Sequence, residues 1–130
     1  MITAIIQARL NSSRLNKKIL LKIENKNLLE HLFSQLSYST HIDKKIIATT
    51  INKIDDEIEN FAKLQNITFF RGNPLDVLDR YYRCAKFFNL ETIVRISGDA
   101  PLIDPSIVDK TIEYYKKNNF DYVRNFFNRS

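Results

Sequence analysis

The stretch ITAIIQARLNSSRLNKK, residues 2–18, begins as an apolar run and ends among cations. Its first part, Ile2–Ile6, is short, apolar and largely β-branched, which is typical of a strand. Its second part contains Arg9, Arg14, Lys17 and Lys18, with asparagine and serine residues among them. Arginine presents a planar fork to phosphate oxygens, and lysine presents a compact charge. The stretch therefore predicts a strand that runs into a polyphosphate loop, although a solvated basic turn would have the same composition.

A second strand-like run favours the phosphate interpretation. Thr92–Ser97 is followed directly by Gly98 and Asp99. Ligands of open α/β sheets bind beyond the carboxyl ends of the strands. Cations at one strand end and a carboxylate at another are what a nucleoside triphosphate with a divalent metal requires. The chain's only two glycines, Gly72 and Gly98, both follow predicted strands, where they would admit a ligand close to the backbone or merely ease a turn.

Strand-like and helix-like patterns alternate along the chain. The predicted strands are Ile2–Ile6, Lys45–Thr50, Ile67–Phe70, Thr92–Ser97 and Asp121–Arg124. Alternation of this kind implies right-handed crossovers and a mostly parallel sheet that is covered by helices. We therefore expect one α/β domain over residues 1–130, with three α/β/α layers and a Rossmann-like sheet.

Four apolar stripes at helical spacing predict helices whose stripes form the core and do not contact a cofactor. The stripes are Leu28, Leu29, Leu32, Phe33 and Leu36; Ile54, Ile58, Phe61 and Ala62; Leu75, Leu78, Tyr82, Ala85 and Phe88; and Val108, Ile112 and Tyr115. Asn27 and Glu30 stand at the capping-box positions of the first helix. Asp55 and Asp56 are expected to open the second as a surface helix. Asp104 is expected to cap the fourth.

Composition narrows the class of protein. Apolar residues make up 44% of the chain and charged residues 27%, as in a soluble globular domain. Most of the net charge of +5 falls in residues 1–30 without interleaved aromatic residues, which favours a local phosphate site over nucleic-acid binding. No apolar run is long enough to span a membrane and no signal peptide precedes Gln7, so we expect a cytoplasmic chain without a membrane partner. The single cysteine, Cys84, is expected to be a buried structural thiol.

Four blocks of sequence follow one another along the chain. They are Ala8-Arg9 with Ser12 and Arg14–Lys18, then Leu28–His31, then Arg71-Gly72 with Asp76–Tyr82, and finally Arg95–Pro105. Together these blocks resemble the sugar cytidylyltransferases, a family that contains the acylneuraminate and ketodeoxyoctonate cytidylyltransferases. The chain is most similar to the spore-coat-polysaccharide branch, although Asn16 and Lys17 stand where the family has Pro-Gly, which removes a preset turn.

The resemblance implies a fold of the nucleotide-diphospho-sugar transferase type and a site for CTP and Mg²⁺. Arg14, Lys18 and Asp99 would be catalytic, with Asp99 as the metal ligand. Asp79 would help to form the pocket, while a structural ion pair between Asp76 or Asp79 and a nearby arginine is the alternative. The implied nucleotide-binding residues are Gln7, Ala8, Arg9, Arg14, Lys18, Arg71, Arg80, Ser97 and Gly98.

The implied reaction activates a sugar acid with CTP, giving a CMP-sugar and pyrophosphate for surface polysaccharide biosynthesis. Two alternatives are a truncated, non-catalytic nucleotide-binding module and a glycosyltransferase with a nucleotide-sugar donor, although the Asp-x-Asp motif of the latter is absent. Members of the family continue into a sugar-binding half and a second metal carboxylate. We therefore expect the chain to be the N-terminal part of a longer transferase, inactive alone, and either homodimeric or completed by a partner chain.

Overall fold

The computed structural model describes residues 1–10, 22–23, 26–98 and 104–118. The predicted alternation of strands and helices is present in these ranges. The strands are β1 (Ile2–Gln7), β2 (Lys22–Ile23), β3 (Lys26–Asn27), β4 (Lys44–Thr50), β5 (Thr68–Gly72) and β6 (Thr92–Ser97). The helices are α1 (Leu28–Leu36), α2 (Asp56–Leu64) with a preceding 3₁₀ turn (Lys53–Asp55), α3 (Val77–Phe87) and α4 (Pro105–Asn118).

Four of the strands form one parallel sheet in the order β5-β4-β1-β6. This confirms the predicted parallel sheet. The antiparallel pair β2–β3 was not expected, because two residues per strand give no periodic signal. The predicted strand Asp121–Arg124 lies outside the described residues. No helix in the described ranges is long and apolar enough to cross a bilayer.

Helices cover both faces of the sheet, which confirms the three-layer architecture. Ala4 and Ile6 of β1 pack on the side of α1 and α2, in a cluster with Leu29 and Ile58. Ile5 packs on the opposite side, in a cluster with residues of α3. Strands buried on both faces read as continuous apolar runs, which is why β1 has no polar alternation.

Helix ends follow the predicted capping chemistry. In α1, the Asn27 side chain accepts from the Glu30 amide at 2.8 Å, and the Glu30 carboxylate accepts from the Asn27 amide at 3.0 Å. At the start of α4, the Asp104 carboxylate accepts from the amide and the hydroxyl of Ser106. These bonds satisfy donors that a helix N-terminus leaves without intrahelical partners.

The predicted core stripe of α3 is wrong in its first half. Leu75, Leu78 and Tyr82 are 93%, 66% and 61% exposed, while Tyr81 and Cys84 are buried against the sheet. The sheet instead packs against the side of the helix that carries Tyr81 and Cys84. Burial raises the pKa of the Cys84 thiol to about 11, in keeping with the predicted structural cysteine.

Asp55 does not open a surface helix. Its side chain is fully buried, because the 3₁₀ turn before α2 directs it toward the ends of β1 and β4. There its carboxylate accepts hydrogen bonds from the Leu10 amide and the Thr50 hydroxyl. Asp56 is the residue at which α2 begins.

Candidate active site

The carboxyl ends of β1 and β6 form the centre of the candidate site. Gln7 lies opposite Ser97 in the parallel register, and the Gly98 amide donates to the Gln7 carbonyl at 2.7 Å. On the other side of β1, the Ala8 amide donates to the Ala48 carbonyl at 3.0 Å. Four of the predicted nucleotide-binding residues are therefore brought to one edge: Gln7, Ala8, Ser97 and Gly98.

Gly98 is required by the close packing of these two strand ends. A Cβ atom at this position would lie 2.9 Å from the Gln7 carbonyl oxygen and 3.0 Å from the Ala8 Cβ. The predicted close approach at Gly98 is therefore an approach to the protein's own chain. It ties the residue that precedes Asp99 to the end of β1.

Arg9 and Arg80 both bind the loop that joins β5 to α3. Arg9 Nη1 donates to the Pro74 carbonyl at 3.0 Å, and Arg80 Nη1 donates to the Asn73 carbonyl at 2.7 Å. Because these carbonyls belong to consecutive residues, the two guanidinium groups are held at the same loop. We call Arg9 and Arg80 the arginine pair.

The guanidinium of Arg80 is buried and only partly hydrogen-bonded. Arg80 is 0% exposed, and its Nε and Nη2 atoms have no hydrogen-bond partner within the described ranges. Burial lowers the pKa of Arg80, and the nearby charge of Arg9 lowers it further. Arginine nevertheless keeps its charge at neutral pH. A buried cation with open donors is unfavourable, and an anion at this position would relieve it.

Arg71, another predicted nucleotide-binding residue, is committed to different partners. Its Nε donates to the Thr50 carbonyl and its Nη2 to the Asn52 carbonyl, both at 2.7 Å. Its Nη1 lies 2.7 Å from Asp56 and 3.0 Å from Glu59. Burial opposes the charge of Arg71, but the hydrogen bonds to these two carboxylates raise its pKa. Arg71 thus fastens the β4–α2 loop, and its contact with a nucleotide stays a prediction.

The acidic residues around Arg80 have structural roles. Asp76 is the N-cap of α3 and accepts from the Asp79 amide at 3.0 Å. Asp79 pairs with Arg83, one turn further along the helix, at 3.0 Å. The predicted ion pair is therefore present for Asp79, with Arg83 and not Arg80 as its partner, and the contribution of Asp79 to a nucleotide pocket stays a prediction.

Asp55 is a residue of the site that sequence reasoning missed. Its Oδ1 atom accepts from the Leu10 amide at 2.6 Å, and its Oδ2 atom accepts from the Thr50 hydroxyl. Thr50 Oγ1 in turn accepts from the Asn52 amide at 3.1 Å. The sequence hinted at this role only through the two adjacent aspartates, Asp55 and Asp56. One acid is sufficient at the start of a helix, so the second was available for another contact.

The predicted catalytic residues Arg14, Lys18 and Asp99 lie outside the described residues. Within the described ranges there is no group of three His, Cys, Asp or Glu side chains that could hold a metal ion. The described part of the site thus consists of the β1 and β6 ends, the arginine pair and Asp55.

Comparison with known sequences shows which proteins this chain is similar to. The sequence profile of a family described as Cytidylyltransferase matches residues 3–129. The 3-deoxy-manno-octulosonate cytidylyltransferase of Solibacter usitatus is 34% identical over 85% of this chain and 43% of its own length. The spore coat polysaccharide biosynthesis protein SpsF of Bacillus subtilis is 33% identical over 91% of this chain and 51% of its own length.

Structural comparison agrees. A cytidylyltransferase from Leptospira borgpetersenii superposes with a TM-score of 0.82 and 36% sequence identity. The match covers 90% of this chain and 49% of the Leptospira protein. The chain therefore spans about half the length of the curated relatives and of the solved structure that it matches.

Proposed function

The chain belongs to the cytidylyltransferase family, and from this premise we propose that it binds CTP with Mg²⁺ at the carboxyl edge of its sheet. We further propose that the protein activates a sugar acid, giving a CMP-sugar and pyrophosphate for surface polysaccharide biosynthesis. The names of the Solibacter and Bacillus relatives support the sugar-acid and polysaccharide parts of this proposal. Membership of the family favours this reaction over a glycosyltransferase that uses a nucleotide-sugar donor.

The observation that carries the proposal is the arginine pair. Arg80 has two buried donor atoms without a partner among the described residues, beside a second arginine and next to Gly72 at the end of β5, where α/β folds bind ligands. A guanidinium matches the geometry of phosphate oxygens, and charge-assisted hydrogen bonds to phosphate are strong. The triphosphate of CTP supplies the anion that this cluster lacks.

Each remaining site residue has a proposed task. Gln7 and Ala8 would face the cytosine base through their backbone, and Ser97 and Gly98 would line the nucleotide beside them. Arg14 and Lys18 would extend the cationic surface along the triphosphate. Arg71 would support the pocket from the β4–α2 loop.

The proposed metal ligand is Asp99. Magnesium binds one or two carboxylates together with substrate phosphate oxygens, so a single protein carboxylate is an adequate donor set. The bond from the Gly98 amide to the Gln7 carbonyl fixes the residue before Asp99 at the nucleotide edge. When bound, the ion neutralises charge on the phosphate oxygens.

The proposed chemistry is a displacement at the α-phosphorus. A hydroxyl oxygen of the sugar acid forms a bond to this phosphorus and loses its proton to solvent, while the bond to the bridging oxygen of pyrophosphate breaks. Little covalent chemistry is asked of the protein, so positioning and charge stabilisation dominate. The arginine pair would stabilise the negative charge that the phosphates carry as they separate.

Calorimetric titration of the chain with CTP and with ATP, each with Mg²⁺, tests the proposal. We expect CTP to bind more tightly than ATP, and the affinity to fall when EDTA removes the metal. Absence of CTP binding, or equal binding of ATP, would contradict the nucleotide assignment. Pyrophosphate release from CTP that depends on an added eight- or nine-carbon sugar acid would separately test the acceptor class.

A further inference from the structure

We propose that Asp55 is a positioning residue that fixes the chain at Leu10, and with it the adjacent Arg9, for the triphosphate. The inference rests on the proposed function, since it assumes that Arg9 binds phosphate. Asp55 itself would not touch the nucleotide. It would act through the Leu10 amide, which follows Arg9 directly in the chain.

The contacts of Asp55 join two chain segments at the same edge of the sheet. Oδ1 accepts from the Leu10 amide, just beyond the end of β1, at 2.6 Å. Oδ2 accepts from the hydroxyl of Thr50, the last residue of β4. Thr50 is held by the Asn52 amide in turn. The carboxylate therefore sets the direction in which the chain leaves β1.

The burial of Asp55 shows that this link is costly to build. Leu10, Thr50 and Asp55 are all at most 1% exposed, and none of the ion pairs formed by the described residues includes Asp55. Burying a carboxylate without a paired cation is unfavourable. The charge of Asp55 acts on Arg80 through space and not through a hydrogen bond. The two oxygen atoms of the carboxylate accept from both segments at once, so the placement of these segments offsets the cost of burial.

Asp109 provides a matched control for Asp55, because it performs the same kind of loop fastening at the opposite edge of the sheet. Its carboxylate accepts from the Thr40 amide at 2.8 Å, from the His41 amide at 3.2 Å, and from the Ser39 hydroxyl. Residues 39–41 precede β4, far along the strand direction from Thr50. Loss of Asp109 should therefore affect stability and not phosphate binding.

The test compares the affinities of CTP and CMP for each variant, with Mg²⁺, by calorimetry. The ratio of the two affinities reports how well the protein grips the β- and γ-phosphates. We expect Asp55→Ala to lower this ratio about 10-fold, since a misplaced Arg9 loses charge-assisted bonds to those phosphates. Asp55→Asn keeps an oxygen for the Leu10 amide and should restore most of the ratio. Asp109→Asn should leave the ratio unchanged.

If Asp55 acted only through its charge, the CTP affinity of the variants would change in the opposite direction, so the test distinguishes the two explanations. Removing a buried negative charge near the arginine pair should tighten CTP binding in both Asp55 variants if Asp55 has no positioning role. Such tightening, or an unchanged ratio in Asp55→Ala, would overturn the inference. If Asp55→Ala does not fold, Thr50→Val removes the hydroxyl that donates to Asp55 and accepts from the Asn52 amide, and it should lower the ratio about 3-fold. Failure of the wild-type chain to bind CTP would instead overturn the proposed function.

Discussion

Arg71 and Arg80 belong to the same strand–loop–helix unit but have opposite surroundings. Arg71, at the end of β5, directs every side of its guanidinium to a carbonyl or a carboxylate. Arg80, in the first turns of α3, has one bond to a carbonyl and two donors without a partner among the described residues. The more buried of the two arginines is therefore the less satisfied.

The difference is what we expect between an arginine that stabilises the fold and one that binds a ligand. Natural sequences satisfy buried polar groups, and departures from this rule concentrate at functional sites. Arg71 joins the β4–α2 loop to β5, so its loss should destabilise the fold. Arg80 should destabilise the free protein, and the proposed phosphate ligand would supply the missing hydrogen-bond acceptors.

The largest expected effect is the loss of CTP affinity in Arg80→Met. Methionine fills a similar volume but offers no donor, so both phosphate-directed bonds disappear. We expect the dissociation constant for CTP to rise about 100-fold, since hydrogen bonds to charged groups are each worth about 1.5–3 kcal/mol. The free energy of unfolding of the free chain should rise by about 1 kcal/mol, because a poorly satisfied buried charge is removed. Calorimetry and urea unfolding measure the two quantities.

Arg83→Met is the matched control for this variant. Arg83 lies on the same helix, but among the described residues its exposed guanidinium forms an ion pair with Asp79 alone. Exposed pairs of this spacing contribute about 0.5 kcal/mol or less, so both stability and CTP affinity should stay close to wild type. Equal loss of CTP affinity in the two variants would show that α3 offers a diffuse basic surface and not a specific site.

Arg71→Met should have the reverse profile. It leaves two carbonyls and two carboxylates without their shared donor, so we expect a loss of about 1–2 kcal/mol in unfolding free energy after allowance for partial exposure. CTP affinity, measured well below the unfolding transition, should fall less than 3-fold. A loss of affinity comparable to that of Arg80→Met would make Arg71 a direct nucleotide ligand and remove the contrast.

The difference in unfolding free energy between wild type and Arg71→Met should also depend on pH. Hydrogen bonds from Lys63 and then Arg71 lower the pKa of Glu59 in the folded chain. A carboxyl with a lowered pKa stabilises the fold above its unfolded pKa, and this contribution is lost as the pH falls through its folded pKa. The stability gap between wild type and Arg71→Met should therefore narrow between about pH 7 and pH 3. Urea unfolding across this range should show no narrowing of the stability gap between wild type and Arg80→Met, because among the described residues Arg80 donates to a carbonyl and not to an acid.

The features that could be predicted from the sequence are those that neighbouring residues determine. The strand at Ile2–Gln7 and the capping box at Asn27 follow from periodicity and from short-range bonds, so both were predictable. The apolar face of α3 was not, because packing on the sheet selects the side of the helix that carries Tyr81. The buried state of Asp55 was also hidden, since its bond to the Leu10 amide spans 45 residues of sequence. Arg80 was assigned to a nucleotide by resemblance, while its open donors are visible only in three dimensions.

Gly72→Ala should produce the smallest effect, and it probes the arginine pair without changing a charge. A Cβ atom at this position would lie 3.2 Å from Arg80 Cγ and 3.1 Å from Phe70 Cε2. These contacts are tight but not prohibitive, so a neighbour must move by a few tenths of an ångström. If Arg80 moves, its guanidinium leaves the geometry that phosphate requires, and we expect CTP affinity to fall about 3-fold. Unfolding free energy should change by less than about 1 kcal/mol, because the reduced entropy of the unfolded chain offsets the tighter contact. Unchanged affinity would show that Phe70 yields and that the position of Arg80 is held by its bond to Asn73 alone.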